Sequence, residues 1–196
     1  MRRRSEERYR QAVLFFLHQC ESRRMGKVKL MKLLYYLDFD HFEKHGRSVT
    51  GDRYLRFPLG PLPEHGEAVL ERMEAEGQVQ IRGWKPLIPC DLSVFSSSEL
   101  AVLRSVCARW RYATKQEIVD ASHREPTWTE VQAGREVPYV YAYLRNSFGE
   151  VFETDPTDPV ERARSAFSGE SDSELQAETA RVMRRVKSKM AGARAT

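Results

Sequence analysis

The sequence predicts a mainly α fold: a compact helical domain of about six helices with one small, wing-like β hairpin, followed by a charged helical tail. Three observations predict it. Apolar residues recur at spacings of three and four through several stretches. Ser96 and Thr114 each stand three residues before a glutamate, Glu99 and Glu117, as in a helix-capping box. Period-two alternation is clearest in one short stretch, Val79 to Trp84.

The elements follow in order. Residues 5–21 place Tyr9, Ala12, Val13, Phe16 and Leu17 on one helical stripe. Residues 27–44 repeat the pattern more strongly. Leu30, Leu33, Leu34, Leu37 and His41 share one side, Met31, Tyr35 and Phe42 flank it, and Gly46 supplies a left-handed cap. From Arg47 to Pro63 the residues Gly51, Pro58, Gly60, Pro61 and Pro63 break any helix, leaving residues 53–57 as a short extended piece. Residues 64–75 form a helix that turns Val69, Leu70 and Met73 inward and stops at Gly77. Val79, Ile81 and Trp84 then alternate with polar residues, and Leu87 and Ile88 return after Pro86 as the second arm of the wing. Residues 96–112 are amphipathic through Leu100, Leu103, Val106, Cys107 and Trp110. The helix opened by Thr114 stops near Pro126, and residues 137–148, entered through Pro138, are the last helix of the body.

The body is expected to span residues 1–154 and the linker and basic tail residues 155–196. Asp155, Pro156, Asp158 and Pro159 mark the boundary, and the polar stretch from Gly169 to Ser173 breaks the tail in two. Its second half sets Leu175, Val182, Met183, Val186 and Met190 on one face, a candidate partner-binding surface.

An apolar share of 41% supports a real core, and no run approaches the ~18 apolar residues of a membrane helix. The positive start, Arg2 to Arg4, precedes an apolar stretch too short for a signal peptide, so a cytoplasmic location without membrane association is expected. Three widely spaced cysteines, Cys20, Cys90 and Cys107, form no CxxC pair and are expected to be reduced packing residues. Charge is uneven: residues 1–29 hold nine Arg or Lys against three Glu, and residues 181–196 hold six basic residues and no acidic one. Such ends are usually solvated, but they also suit phosphates or an acidic protein.

Two blocks carry the motif content. The first, KLMKLLYYLDFDHFEKHGRSVTGDRYLRFPLGPLPEHG, contains Lys32, Leu33, Leu34, Tyr35, Asp38, His41, Gly46, Gly51, Tyr54, Gly60 and Pro61. The second, SHREPTW followed by VPY, contains Ser122, His123, Glu125, Pro126, Trp128, Pro138 and Tyr139. In this order and separation they resemble the Panacea (SocA-like) antitoxin family over roughly residues 5–150. The resemblance implies a protein-binding antitoxin, without enzymatic activity or cofactor, that neutralises a cognate toxin by stoichiometric binding in a toxin-antitoxin or phage-defence setting. It leaves the identity of the toxin open, together with homo-oligomerisation and weak nucleic-acid binding.

The residues themselves admit other chemistry. Asp38, His41 and His45 stand at i, i+3 and i+7, and with His123 or Glu125 they would suit a divalent metal; the plainer reading has Asp38 and His41 tie the helix to the glycine-rich loop. His41 or His123 as a base oriented by Asp38 or Glu125 would suit a hydrolase, yet no nucleophile elbow, phosphate loop or HExxH accompanies them. Helix, helix and wing would suit a winged-helix DNA-binding regulator using Arg104, Arg109, Arg111 and Lys115, although Glu64, Glu67, Glu71, Glu74 and Glu76 make the helix before the wing acidic. The expectation is a binding module with no metal and no catalytic residue, in which Pro126 ends a helix and Trp128 is a buried apolar anchor.

Overall fold

The computed structural model describes residues 4–145 and, in a C-terminal helix, positions 177, 180–182, 184, 185 and 188. Helix α1 (Glu6–Gln19) opens on Ser5, whose side chain accepts from the Arg8 backbone N, and carries Glu6 and Glu7 where the helix dipole favours negative charge. Helix α2 (Lys27–His45) ends on Gly46 at φ 64°, the left-handed cap that its position predicts. The periodicity of α2 predicts one apolar side, but every residue from Lys29 to Glu43 is buried. The reason is its place in the molecule: α1, two later helices, a β strand and a 3-10 turn pack around it, so it has no solvent face.

Strands β1 (Tyr54–Phe57) and β2 (Gly60–Pro63) pair antiparallel, with Tyr54 opposite Pro63 and Phe57 opposite Gly60. The outer edge of β1 is satisfied by a later segment: Arg56 N donates to Arg135 O at 2.9 Å, Gly134 N to Arg56 O at 2.8 Å and Val137 N to Tyr54 O at 2.7 Å. Strand β2 holds two prolines and lies against α2, an edge position where missing N–H donors cost nothing. This hairpin is the principal one, although the sequence predicts only a short extended piece at residues 53–57. The expected wing is smaller: β3 (Val79–Gln80) and β4 (Lys85–Pro86) make two pairs, with Trp84 at φ 54° in the turn.

Helix α3 (Gly66–Ala75) lies between the hairpins, and α4 (Ser97–Trp110) and α5 (Lys115–His123) each carry the complete capping box expected from Ser96 and Thr114. Pro126 corrects an expectation. It does not stop α5, which has already ended at His123; it occupies the first turn of a further short helix, α6 (Pro126–Thr129), where its missing N–H is harmless. The last predicted helix is likewise different, a 3-10 turn over Tyr139–Leu144, with all six residues buried. Among the described residues no helix is long and apolar enough to cross a membrane.

Of the predicted tail face, Val182 is described, and it is fully buried in the core of this same chain. Beside it the Arg181 guanidinium donates to Tyr141 Oη at 2.9 Å, and Arg185 pairs with Glu130. Leu175, Met183, Val186 and Met190 lie outside the described residues, as does the boundary drawn at residues 154 and 155.

The loop after α2 is organised by one carboxylate. Asp38 is fully buried and accepts from Val49 N (2.8 Å), Thr50 N (2.7 Å), Thr50 Oγ1, Tyr54 Oη (2.9 Å) and Tyr139 Oη (3.2 Å). It therefore fixes the loop, β1 and the 3-10 turn to the same point of α2. Burial pushes the Asp38 carboxyl up to about 6, against the pull of these donors. Removing the carboxylate would leave several buried donors without an acceptor. Asp38→Ala is expected to lower the unfolding free energy by ~3–5 kcal/mol, with Asp38→Asn between it and the parent; urea denaturation at neutral pH measures both.

Candidate functional site

The residues of the two sequence blocks meet where the β1–β2 turn crosses α2 and the α5–α6 junction. Lys32 and Tyr35 stand one turn apart on α2, and both are fully buried. Lys32 Nζ donates to Pro61 O at 3.2 Å and lies 5.5 Å from the centre of the Tyr35 ring. The hairpin can approach this closely only because residue 60 is glycine. It has φ +95°, and a Cβ there would lie 2.0 Å from Lys32 Nζ and 2.7 Å from Ser122 Oγ. Burial pushes the Lys32 ammonium down to about 7, with the Glu125 carboxylate pulling the other way.

Tyr35 connects this lysine to a second layer of charge. Its hydroxyl donates to Glu125 Oε2 at 2.5 Å and meets Thr127 Oγ1 at 2.7 Å. Glu125 stands at the N-cap position of α6 but makes no side-chain cap; its carboxylate turns inward instead. Arg145 Nε donates to Glu125 Oε2 at 3.1 Å, and its terminal nitrogen reaches Asp40 Oδ1 at 2.9 Å. Arg109 closes the set on Asp40 Oδ2 at 2.6 Å. Arg109, Asp40, Arg145, Glu125 and Tyr35 thus form one alternating network from α4 through α2 to α6. Of these five, only Tyr35 and Glu125 are among the motif positions named in the two blocks. Arg145 follows the apolar stretch 139–144, whereas Asp40 stands among the charged residues Asp38, Glu43 and Lys44 and is not singled out by the sequence.

The outer layer is aromatic. His123 and Trp128 stack at 4.0 Å between ring centres and 8° between planes, and the Arg56 guanidinium lies 3.8 Å over the Trp128 ring. Arg56 Nε also donates to Trp128 O at 2.9 Å, so β1 and α6 are joined by both backbone and ring. Trp128 is half-buried, which corrects the expectation of a buried anchor: its ring is wedged between side chains at the surface and outside the core cluster. Burial and then the Lys32 charge hold the His123 imidazole below its ordinary value, while its bond to the Leu59 backbone opposes them. Next to this stack Phe57 and Leu59, at the tip of the β1–β2 hairpin, are each 39% exposed.

The alternative metal or acid–base grouping of Asp38, His41, His45, His123 and Glu125 does not assemble. Asp38 faces the loop and its tyrosines; His41 Nδ1 donates to Arg47 O at 2.6 Å while its Nε2 meets Ser98 Oγ at 3.2 Å; His45 is exposed. Burial pushes His41 down to about 4, so at neutral pH its Nε2 is an acceptor for the Ser98 hydroxyl. His123 and Glu125 belong to the Lys32–Tyr35 region. Among the described residues no group of three or more His, Cys, Asp or Glu could hold a metal ion. Of the basic residues that would suit DNA binding, Arg109 is spent on Asp40, while Arg104, Arg111 and Lys115 are exposed.

The model of the family described as antitoxin SocA-like, Panacea domain, matches residues 30–129, from the first turn of α2 to the end of α6. No curated protein and no solved structure matches the chain.

Lys32 gives this site a distinct pH signature. The unfolded chain keeps the Lys32 proton to about 10.5, whereas the folded chain releases it near 7. Between those values the unfolded state binds more protons, so the lysine's contribution makes stability rise with pH. The unfolding free energy of the parent relative to Lys32→Met should therefore increase from pH 7 to 9.5, by up to ~1.4 kcal/mol per pH unit. Chemical denaturation of both proteins across this range checks it; parallel profiles would mean that the amine is solvated in the folded state.

Proposed function

Since the chain belongs to the SocA-like antitoxin family with a Panacea domain, we propose that it acts by holding a cognate protein toxin in a stoichiometric complex, and that the tip of the β1–β2 hairpin with the Arg56–Trp128–His123 stack is the surface that does so. The observation that carries the reading is the pairing of exposed apolar side chains with a rigid base. Phe57, at the end of β1, and Leu59, in the two-residue turn, project from a hairpin tip that is fixed below by Lys32 on Pro61, beside by Arg56 on Trp128 and along its edge by residues 134–137.

Binding surfaces draw most of their energy from a few aromatic, arginine and large apolar groups held in place before the partner arrives. A stacked Trp–Arg pair flanked by Phe57 and Leu59 has this composition, and the charge network beneath it fixes the α6 backbone that carries Trp128. An apolar projection on the toxin, rimmed by acidic groups that meet Arg56, is the complementary chemistry. The work is done by binding alone: the buried Lys32, Tyr35 and Glu125 hold the surface in shape, and no substrate need reach them.

Copurification from the native host identifies the partner, and co-expression then asks whether the product of the neighbouring reading frame is toxic only when this protein is absent. With that partner in hand, Leu59→Asp and Trp128→Ala are each expected to weaken the complex by at least ~30-fold, about 2 kcal/mol, as measured by calorimetry. The melting temperature of Leu59→Asp should stay near that of the parent, because the side chain lies outside the core. A partner bound with undiminished affinity by both variants would place the recognition surface elsewhere.

A further inference from the structure

The three cysteines are far apart in sequence, but the fold brings two of them together. Cys20, at the C-cap of α1, and Cys107, in the last turns of α4, have their sulfurs 3.3 Å apart although 87 residues separate them. A disulfide needs ~2.05 Å, so the reduced pair stands little more than one ångström from bonding distance. We infer that Cys20 and Cys107 form a redox site of this protein, a dithiol that a hydroperoxide oxidises to an intramolecular disulfide.

Both thiols are almost fully buried, and two cations stand beside them. Lys29 lies beside the pair, its Nζ held by Arg111 O at 3.1 Å and Ala113 O at 2.6 Å, and the Arg111 charge adds to its own. The hydrogen bond shared with Cys20 draws the Cys107 thiol down, against burial and with help from these two cations, while the same bond and burial raise Cys20. In the scheme below Cys107 is the attacking sulfur and Cys20, 3.3 Å away, the resolving thiol. Cys90 is the internal contrast: its thiol donates to Gln11 O at 3.3 Å, and burial pushes it up to about 11.

The chemistry balances in two steps. The Cys107 thiolate attacks one peroxide oxygen, the O–O bond breaks, and the departing oxygen leaves as hydroxide or alkoxide and takes up a proton; Cys107 becomes a sulfenic acid. Cys20 sulfur then attacks Cys107 sulfur, the S–O bond breaks, and the hydroxyl leaves with the Cys20 proton as water. Two thiols and one hydroperoxide give one disulfide, one alcohol or water, and one further water. Both electrons pass from the dithiol to the peroxide. The product links the end of α1 to α4 across a loop that contains all of α2 and both hairpins, and it restrains the unfolded chain more than the folded one.

This site is independent of the toxin and is tested without a partner. Full-length reduced protein is treated with a small excess of hydrogen peroxide, quenched, alkylated and mapped by mass spectrometry under non-reducing conditions. The expected result is a Cys20–Cys107 peptide link with Cys90 alkylated, three titratable thiols falling to one, reversal by dithiothreitol, and a higher melting temperature for the oxidised form than for the reduced one. Cys20→Ala should instead accumulate a sulfenic acid at Cys107 that dimedone captures, and Cys90→Ser should oxidise like the parent. Should the parent retain three free thiols, lose Cys90 first, or pass to sulfinic acid at Cys107 without the link, the site is not a redox pair. Because the peptide mapping uses the unmodified chain, its outcome does not depend on any variant folding.

Discussion

Helix α2 has no face toward water, and most of the architecture follows from that constraint. Lys29, Lys32, Asp38, Asp40 and His41 are carried inside with its leucines and aromatics, and each is fully buried. A charge taken out of water is tolerable only with a partner of complementary character. The partners come from several segments around the helix: the turn after α4 for Lys29, β2 for Lys32, the loop and two tyrosines for Asp38, Arg109 and Arg145 for Asp40, and Arg47 and Ser98 for His41. Each contact therefore satisfies a buried group and also fixes the position of one neighbour around the helix. Apolar packing alone is less directional.

The same constraint lets the outer surface be firmly held while carrying little regular structure. The β1–β2 hairpin has four residues per strand, and α6 has four residues in all, lengths that are marginal on their own. Gly60 lets the hairpin turn sit on Lys32, and Glu125, turned inward from the N-cap position of α6, ties the other side to Tyr35 and Arg145. The aromatic and basic side chains displayed between them are then positioned from below. In the same way the Cys20–Cys107 contact arises because α1 and α4 both pack on α2, without any local motif that joins the two cysteines.

The site residues fall on both sides of the end of the matched span. The matched residues, 30–129, contain the buried lysine, its tyrosine, the glycine at the turn and the stacked His123 and Trp128. The arginine that completes the network, Arg145, lies beyond that span, as does the C-terminal helix whose Val182 enters the core. Contacts from outside the matched span thus close the network and the core. The packing of Val182 and the Arg185–Glu130 pair bring part of the basic tail onto the body close to α6.

By itself the sequence determined what acts over one or two helical turns. The helix starts at Ser5, Ser96 and Thr114, the left-handed stop at Gly46 and the tie between Asp38 and the following loop are readable because capping, periodicity and backbone conformation depend on near neighbours. The two motif blocks are readable too, as strings. Their meeting is not: Lys32 finds Pro61 at a separation of 29 residues, Tyr35 finds Glu125 at 90, and Asp40 finds Arg145 at 105. Tertiary structure alone decided that α2 is buried all round, that Trp128 stays at the surface, that Pro126 opens a helix, and that two remote cysteines touch. The physical reason is that a local pattern sets which side of a segment is apolar, whereas burial of its polar side depends on which other segments arrive to satisfy it.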